Sequence, residues 1–239
     1  MSITGPAGGE PTKVGVALVD VLTGLYATSG ILAALHERAR TGRGQRVEVD
    51  LLGSALASLV NQASSYLCTG RPPRAMGNRH PSITPYETLA TADRPLVVAV
   101  GNDAQFARLC RVLGLPEAAT DPRFAGNADR VTNREALVAL LEEALAARGA
   151  DDWVAELSAV GVPCGLVNDV GEAFALAERL GLDPVADAGG IPQVANPIRL
   201  SASPVSYRQA PPALGEHTAE VLAWLGTPPA GDRGAVTPP

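Results

Sequence analysis

The sequence predicts an α/β fold, and two observations predict it. The first is a run with apolar residues at helical spacing, residues 21–40, followed across Thr41-Gly42-Arg43-Gly44 by the alternating stretch QRVEVDL, Gln45–Leu51. Helix and then strand across a tight glycine turn is half of an α/β unit. The second is a repeat of that alternation over residues 86–182, where short apolar runs such as PLVVAV alternate with helix-period segments. The chain has 239 residues, of which 46% are hydrophobic, enough for one large or two small domains. Aromatic residues make up only 4%, so the core must be built from Ala, Val and Leu.

Taken in order, the glycine-rich opening MSITGPAGGEP reads as a loop, and Pro11–Leu35 is the most apolar stretch. Leu22, Leu25, Ile31, Leu32 and Leu35 stand at helical spacing. His36 reads as a solvated helix residue, and Arg38 and Arg40 lie where the helix dipole favours positive charge. Gly42 suits a left-handed cap. In Gln45–Leu51, Val47, Val49 and Leu51 alternate with polar neighbours and predict a strand. A small-residue helix is expected over Ser54–Leu67. Gly70–Pro85 is the main break in composition: a domain linker, or a functional loop.

Beyond it, Pro95–Val100 predicts a buried strand, and Asn102–Leu113 a helix capped by Asn102 or Asp103. Asn133–Arg148 is the clearest amphipathic helix. Asp151–Val160 is another helix, with Trp153 and Leu157 inward. Val162–Val167 is a short strand, beside which Cys164 reads as a small core residue, and Asp169–Leu180 is a helix. Asp183–Pro212 has little periodicity and predicts a return segment with extended stretches such as Gln193–Leu200. Gly215–Leu225 is a last helix, and residues 226–239 read as a disordered tail.

Charge and motif content narrow the function. The net charge is −6 and the pI about 5.1, with basic residues scattered, which argues against nucleic acid as a partner. Cys68, Cys110 and Cys164 are odd in number and lack CxxC spacing, so they read as reduced, buried thiols of a cytoplasmic protein. The three His residues have no metal-ligand spacing, and there is no P-loop and no GxGxxG, so no metal is expected. No basic segment precedes an apolar one at the start, so no signal peptide is expected. The first apolar run is long enough to span a membrane. Against that, Asp20 would cost about 2.5–3.5 kcal/mol near its centre, glycines interrupt it, and no second span exists, so no membrane is expected.

Asp20 is the lone carboxylate of the apolar run. Burying such a group is costly unless it is paired or hydrogen-bonded. It reads as a helix N-cap, a satisfied core ion pair, or a functional group. Cap and function are compatible, because a helix N-terminus favours the ionised form, and an ionised Asp is a usable nucleophile. In the Gly70–Pro85 break, Gly77, Asn78, Arg79, His80 and Ser82 form a cluster able to bind an anionic substrate.

Five ordered stretches carry a resemblance: GLYATSGILAALHERARTGRGQRVEVDLL, MGNRHPSITPYETLATAD, TDPRFAGNADRVTNREAL, GVPCGLVNDVGEAF and PALGEHTAEVLAWLG. Together they resemble the class III coenzyme A transferases, the family of formyl-CoA transferase and the carnitine CoA-transferases. The resemblance implies that the carboxylate within GVALVDVLTG, Asp20, attacks an acyl-CoA thioester to give an aspartyl mixed anhydride and then an enzyme–CoA thioester. It implies coenzyme A as a substrate, with no permanently bound cofactor. The segment Gly77–Ser82 corresponds to the family's active-site loop, here GNRHPS rather than a run of glycines. Arg79 and His80 are therefore expected to contact a carboxylate on the acyl group, as in the succinyl-CoA-dependent dicarboxylate CoA-transferases.

Family members carry a substantial segment ahead of this point. It supplies most of a Rossmann-like large domain and most contacts to the CoA nucleotide. The expected fold is therefore the remainder of that large domain plus a smaller α/β domain. Residues 1–69 would carry the catalytic Asp, 70–85 the linker and active-site loop, and 86–182 the small domain. Residues 183–225 would return to the large domain, with 226–239 as tail. Val14–Val19 would be a core strand without its neighbours, the cofactor-binding residues would lie mostly upstream, and a separate N-terminal half is an expected partner. Members are interlocked dimers, so a homodimer is expected. The alternatives are a 2-methylacyl-CoA racemase or epimerase using Asp20 in an acid/base pair, and a catalytically incomplete fragment.

Overall fold

A computed structural model describes residues Met1–Gly226. The expected tail therefore lies outside the described residues, Gly226 apart. The chain forms two compact units that divide between Val167 and Asn168.

The first unit opens with three helices. Helix α1, Leu18–Thr41, ends on Gly42, whose φ of 71° closes a left-handed cap with its N–H on the carbonyl of Arg38. Asp20 is not its N-cap: that position is Ala17, and Asp20 is the third helical residue. The expected strand at Val14–Val19 does not form, since the helix starts at Leu18 and Val14 and Val16 stand exposed.

Gln45–Leu51 is not a strand either. Its N–H and C=O groups need a neighbouring strand, and none pairs with it among the described residues. Instead the extended segment lies on α1, with Val47 so close to Gly30 that a Cβ there would meet its methyl at 3.0 Å. Asp50 then caps helix α2, Leu51–Ala57, accepting the Gly53 N–H at 2.7 Å. The covered face of α1 is thus its small-residue face, Ala27, Gly30 and Ala34. The large residues expected to pack face away, with Leu25 58% and Leu32 61% exposed. By length and composition α1 is the one helix among the described residues able to cross a membrane, with a mean hydropathy of 1.6.

The single helix expected over Ser54–Leu67 is two. Helix α3, Val60–Thr69, follows α2 after a break at Ser58-Leu59, where Val60 takes a φ of 46°. That left-handed backbone is strained for a β-branched residue, so the two helices cannot run on as one. Cys68 on α3 is exposed, contrary to the expectation that all three thiols are buried; all three are free.

The packed core of this unit lies in residues 86–166. Strands β1 (Tyr86–Leu89), β2 (Leu96–Ala99) and β3 (Cys164–Leu166) form a sheet in that order. Both pairings are antiparallel, with Leu89 opposite Leu96 and Val98 opposite Cys164. Helix and sheet together bear out the α/β class. Helices α4 (Asp103–Val112), α5 (Asn127–Thr132), α6 (Arg134–Leu145) and α7 (Ala150–Ala159) complete the unit. Asn102 caps α4 through the Gln105 N–H. Leu137, Leu141 and Leu145 of α6 recur every fourth residue and are fully buried against Leu96, Val98 and Leu157 of the same core. Trp153 and Leu157 point inward, as expected. Burial pushes the Cys110 thiol up to about 11, so it stays protonated.

Two polar devices brace this core. Asp93, in the β1–β2 turn, accepts the Ala150 N–H at 2.9 Å and so caps α7 from another element. A Cβ at Gly149 would lie 2.9 Å from that carboxylate, so a larger residue there would make Asp93 shift. The second device is Arg130, fully buried. Its guanidinium donates to the carbonyls of Thr84, Phe124 and Ala125 and to Asp103, at 2.6–3.1 Å, and stacks on Phe106.

The second unit starts at Asn168. Asp169 and Glu172 form a capping box at the start of α8, Val170–Arg179. Strands β4 (Val185–Asp187) and β5 (Pro192–Val194) pair antiparallel, so the extended stretch expected at Gln193–Leu200 is a strand only at its start. Helix α9, Thr218–Trp224, is the last described element. Between α8 and residues 194–205 lies an apolar cavity of about 610 Å³.

Replacing Arg130 by Met is expected to cost about 3 kcal/mol, because three carbonyls lose their donor inside the core. Urea denaturation followed by circular dichroism measures this; a loss below about 1 kcal/mol would mean the carbonyls find other donors. A second expectation concerns acid. The N–H groups of Ala150 and Arg94 and the Thr91 hydroxyl hold the Asp93 carboxyl below its ordinary value. A depressed carboxyl contributes stability above its unfolded pKa of about 3.9 and loses it as pH falls through the folded value. Asp121 and Glu135 are shifted the same way by arginine partners. Asp93→Asn should therefore flatten, without abolishing, the fall in melting temperature between about pH 5 and 3.

Candidate functional site

Asp20 occupies the first turn of α1. The carboxylate is exposed, so it is no core ion pair, and no side-chain hydrogen bond or ion pair engages it among the described residues. It keeps the favourable field of the helix N-terminus.

The loop 77–82 is built on the rigid part of the first unit. Gly77 has a φ of 67°, a turn that only glycine takes without strain, and its N–H reaches the carbonyl of Gly5 at 2.9 Å. His80 donates its backbone N–H to the Tyr86 carbonyl and stacks its ring on Tyr86 with centroids 5.1 Å apart. Its Nδ1 accepts the Ser82 N–H at 3.2 Å, so the neutral ring carries its proton on Nε2. Asn127 clamps the loop's far end, donating to the Ser82 carbonyl and accepting the Thr84 N–H. From below, Arg134 donates to the carbonyls of His80 (2.7 Å) and Ile83 (3.3 Å).

Arg79 is the loop's charged group, and it is already engaged. Its Nη1 and Nη2 donate to the two oxygens of Glu135, at 2.6 and 3.3 Å. Its Nε lies 3.3 Å from Oε2 of Glu87, whose Oε1 accepts from Arg134 at 3.1 Å. Burial raises the Glu87 carboxyl above its ordinary value, opposed by Arg134 and Arg79. Glu135 is lowered by the hydrogen bond from Arg79, and Arg79 is raised by the same bond. The result is an alternating row, Arg134–Glu87–Arg79–Glu135, running from the interior to solvent.

Gly77, Asn78, Arg79 and His80 line one shallow cleft of about 290 Å³, with Asn61 and Gln62 of α3 on its other wall. Ser82 lies outside its lining and contributes its backbone to the clamp, and Asp20 does not line it. The cleft presents amide donors, a guanidinium and an imidazole N–H, a set suited to a carboxylate. No group of three metal-ligating side chains occurs among the described residues. Glu87, Asn127, Arg134 and Glu135 were not singled out from sequence. The available signal was two arginines, Arg130 and Arg134, close together beside a glycine-bearing loop, although the break at Asn133 sets them on separate helices.

The model of CoA-transferase family III matches residues 1–218. The succinate–glutarate CoA-transferase of Agrobacterium fabrum is 43% identical over 232 residues, covering 95% of this chain and 58% of that protein. The mouse succinyl-CoA:glutarate CoA-transferase is 36% identical over 227 residues, 93% of this chain and 52% of that one. Among solved structures, a CaiB/BaiF family protein from Brucella suis superposes with a TM-score of 0.78 at 44% identity, covering 94% of this chain and 60% of that one. The chain thus spans a little over half the length of these relatives. It belongs to CoA-transferase family III.

Proposed function

We propose that this protein transfers coenzyme A from an acyl-CoA donor such as succinyl-CoA to a carboxylic acid acceptor, with Asp20 as the covalent nucleophile. The observation that carries this reading is a carboxylate with no side-chain partner in the first turn of α1, a helix with no other charged residue before its last two turns. The names of the relatives, which pair succinate with glutarate, support a dicarboxylic acid as the substrate class.

In the proposed reaction an Asp20 oxygen attacks the thioester carbonyl, the C–S bond breaks, and CoA thiolate leaves a mixed anhydride. The thiolate then attacks the aspartyl carbonyl, releasing the donor acid and leaving CoA on Asp20. The acceptor carboxylate displaces the thiolate to form a second anhydride, and the thiolate takes the acceptor's acyl group, regenerating Asp20. Covalent catalysis of this kind divides one difficult exchange into easier ones. Coenzyme A is a substrate throughout, not a resident cofactor.

The loop 77–82 is assigned the exclusion of water from the anhydride, with Arg79 and His80 turned to the distal carboxylate of the acid. Residues 1–69 then carry the nucleophile, 86–182 form the small domain, and 183–225 return toward the large one. A homodimer and an N-terminal half, contiguous or separate, are part of the same proposal. They would cover the exposed apolar residues of α1 to α3 and supply the CoA contacts.

The test is peptide mass spectrometry after mixing with succinyl-CoA and quenching with hydroxylamine. A hydroxamate is expected on the peptide containing Asp20 and absent from Asp20→Asn. A hydroxamate on another peptide would move the nucleophile. None, even with an N-terminal half of a relative added, would sink covalent transfer by this chain.

A further inference from the structure

The loop's guanidinium contacts two carboxylates of very different character. Glu87 is 4% exposed and shared with Arg134, so it is a fixed anchor. Glu135 is 78% exposed, in the first turn of α6, and takes the end-on pair of N–H groups of Arg79. The Nε of Arg79 is only ion-paired with Glu87, at 3.3 Å, whereas its Nη pair is hydrogen-bonded to Glu135, so the end-on fork of Arg79 is already taken. A carboxylate can take that end-on fork only by displacing Glu135. Glu87 is buried, and removing its partners would strand a charge; Glu135 simply rehydrates.

We infer that Glu135 is a displaceable latch: it docks Arg79, holds the loop 77–82 against α6, and competes with the distal carboxylate of a dicarboxylic substrate for the same guanidinium. This rests on the reading of the loop as the acid-binding part of the site. Glu135 is a positioning residue, acting through Arg79. Glu87 keeps the guanidinium oriented whichever carboxylate is bound, so specificity for dicarboxylic acids arises by exchange of an internal carboxylate for an external one.

The test compares the full chain with Glu135→Gln and Arg79→Gln. Two readouts are used: hydrogen exchange of the peptide covering 76–83, and calorimetric binding of glutarate against pentanoate, its monocarboxylic counterpart. Glu135→Gln should raise exchange of that peptide several-fold while the β1–β2 strands stay protected. It should also tighten glutarate about two- to fivefold, the range an exposed ion pair permits, and leave pentanoate unchanged. Arg79→Gln should remove the preference for glutarate. Unchanged loop exchange in Glu135→Gln overturns the latch. So does unchanged glutarate affinity in Glu135→Gln when Arg79→Gln loses it, and that outcome leaves the acid-binding reading of Arg79 intact. Equal glutarate binding by all three proteins, or none by any, overturns the acid-binding reading itself and the latch with it.

Discussion

Two buried guanidiniums, Arg130 and Arg134, set the constraint on which the rest of the first unit depends. Arg130 ties the segment just before β1, the segment before α5 and the first turn of α4 to one planar group. Arg134 does the same for the loop 77–82 and the inward carboxylate of β1. A buried charge is tolerable only when its donors are satisfied, so these segments must keep their relative positions or lose the compensation together. Arginine suits the task because its donors are fixed in one plane, which lysine cannot reproduce. The loop is therefore irregular in backbone yet held by α5, α6 and the first residue of β1.

That rigidity contrasts with the first seventy residues. There α1 half-covers its small-residue face, and the helices turn most of their leucines outward. Asp20 sits at the start of the most apolar of them, while the cleft containing Arg79 and His80 lies on the loop and α3. The proposed nucleophile and the proposed acid-binding groups thus belong to different elements, one weakly packed and one braced. In the proposed reaction the acyl group must reach both.

How much could be read from the residues depended on the range of the interactions involved. Helices α4, α6 and α7 were legible because their apolar spacing serves a single packed body. Strand β1 was not foreseen: its four residues include Glu87, a carboxylate pointing inward whose partner Arg134 is 47 residues away. The alternation of Gln45–Leu51 misled, because a strand is made by its neighbour and this one lies on a helix instead. The break before Val60 rests on a backbone angle that a β-branched residue rarely takes, so nothing in its identity announced it. At the site, the isolation of Asp20 in an apolar run singled it out, but its surroundings did not follow. Likewise GNRHPS marks a candidate binding loop, whereas the carboxylate already seated on Arg79 comes from 56 residues further along.

The central claim is that Asp20 exchanges acyl groups through its own carboxylate, and the fate of oxygen tests it most directly. Turnover with succinyl-CoA and glutarate carrying heavy oxygen in both carboxylates should pass one labelled atom to Asp20 in each cycle, because the second anhydride breaks on the acceptor side. Mass spectrometry of the Asp20 peptide would then show the label accumulating. Formation of glutaryl-CoA with Asp20 unlabelled would contradict covalent catalysis by this residue.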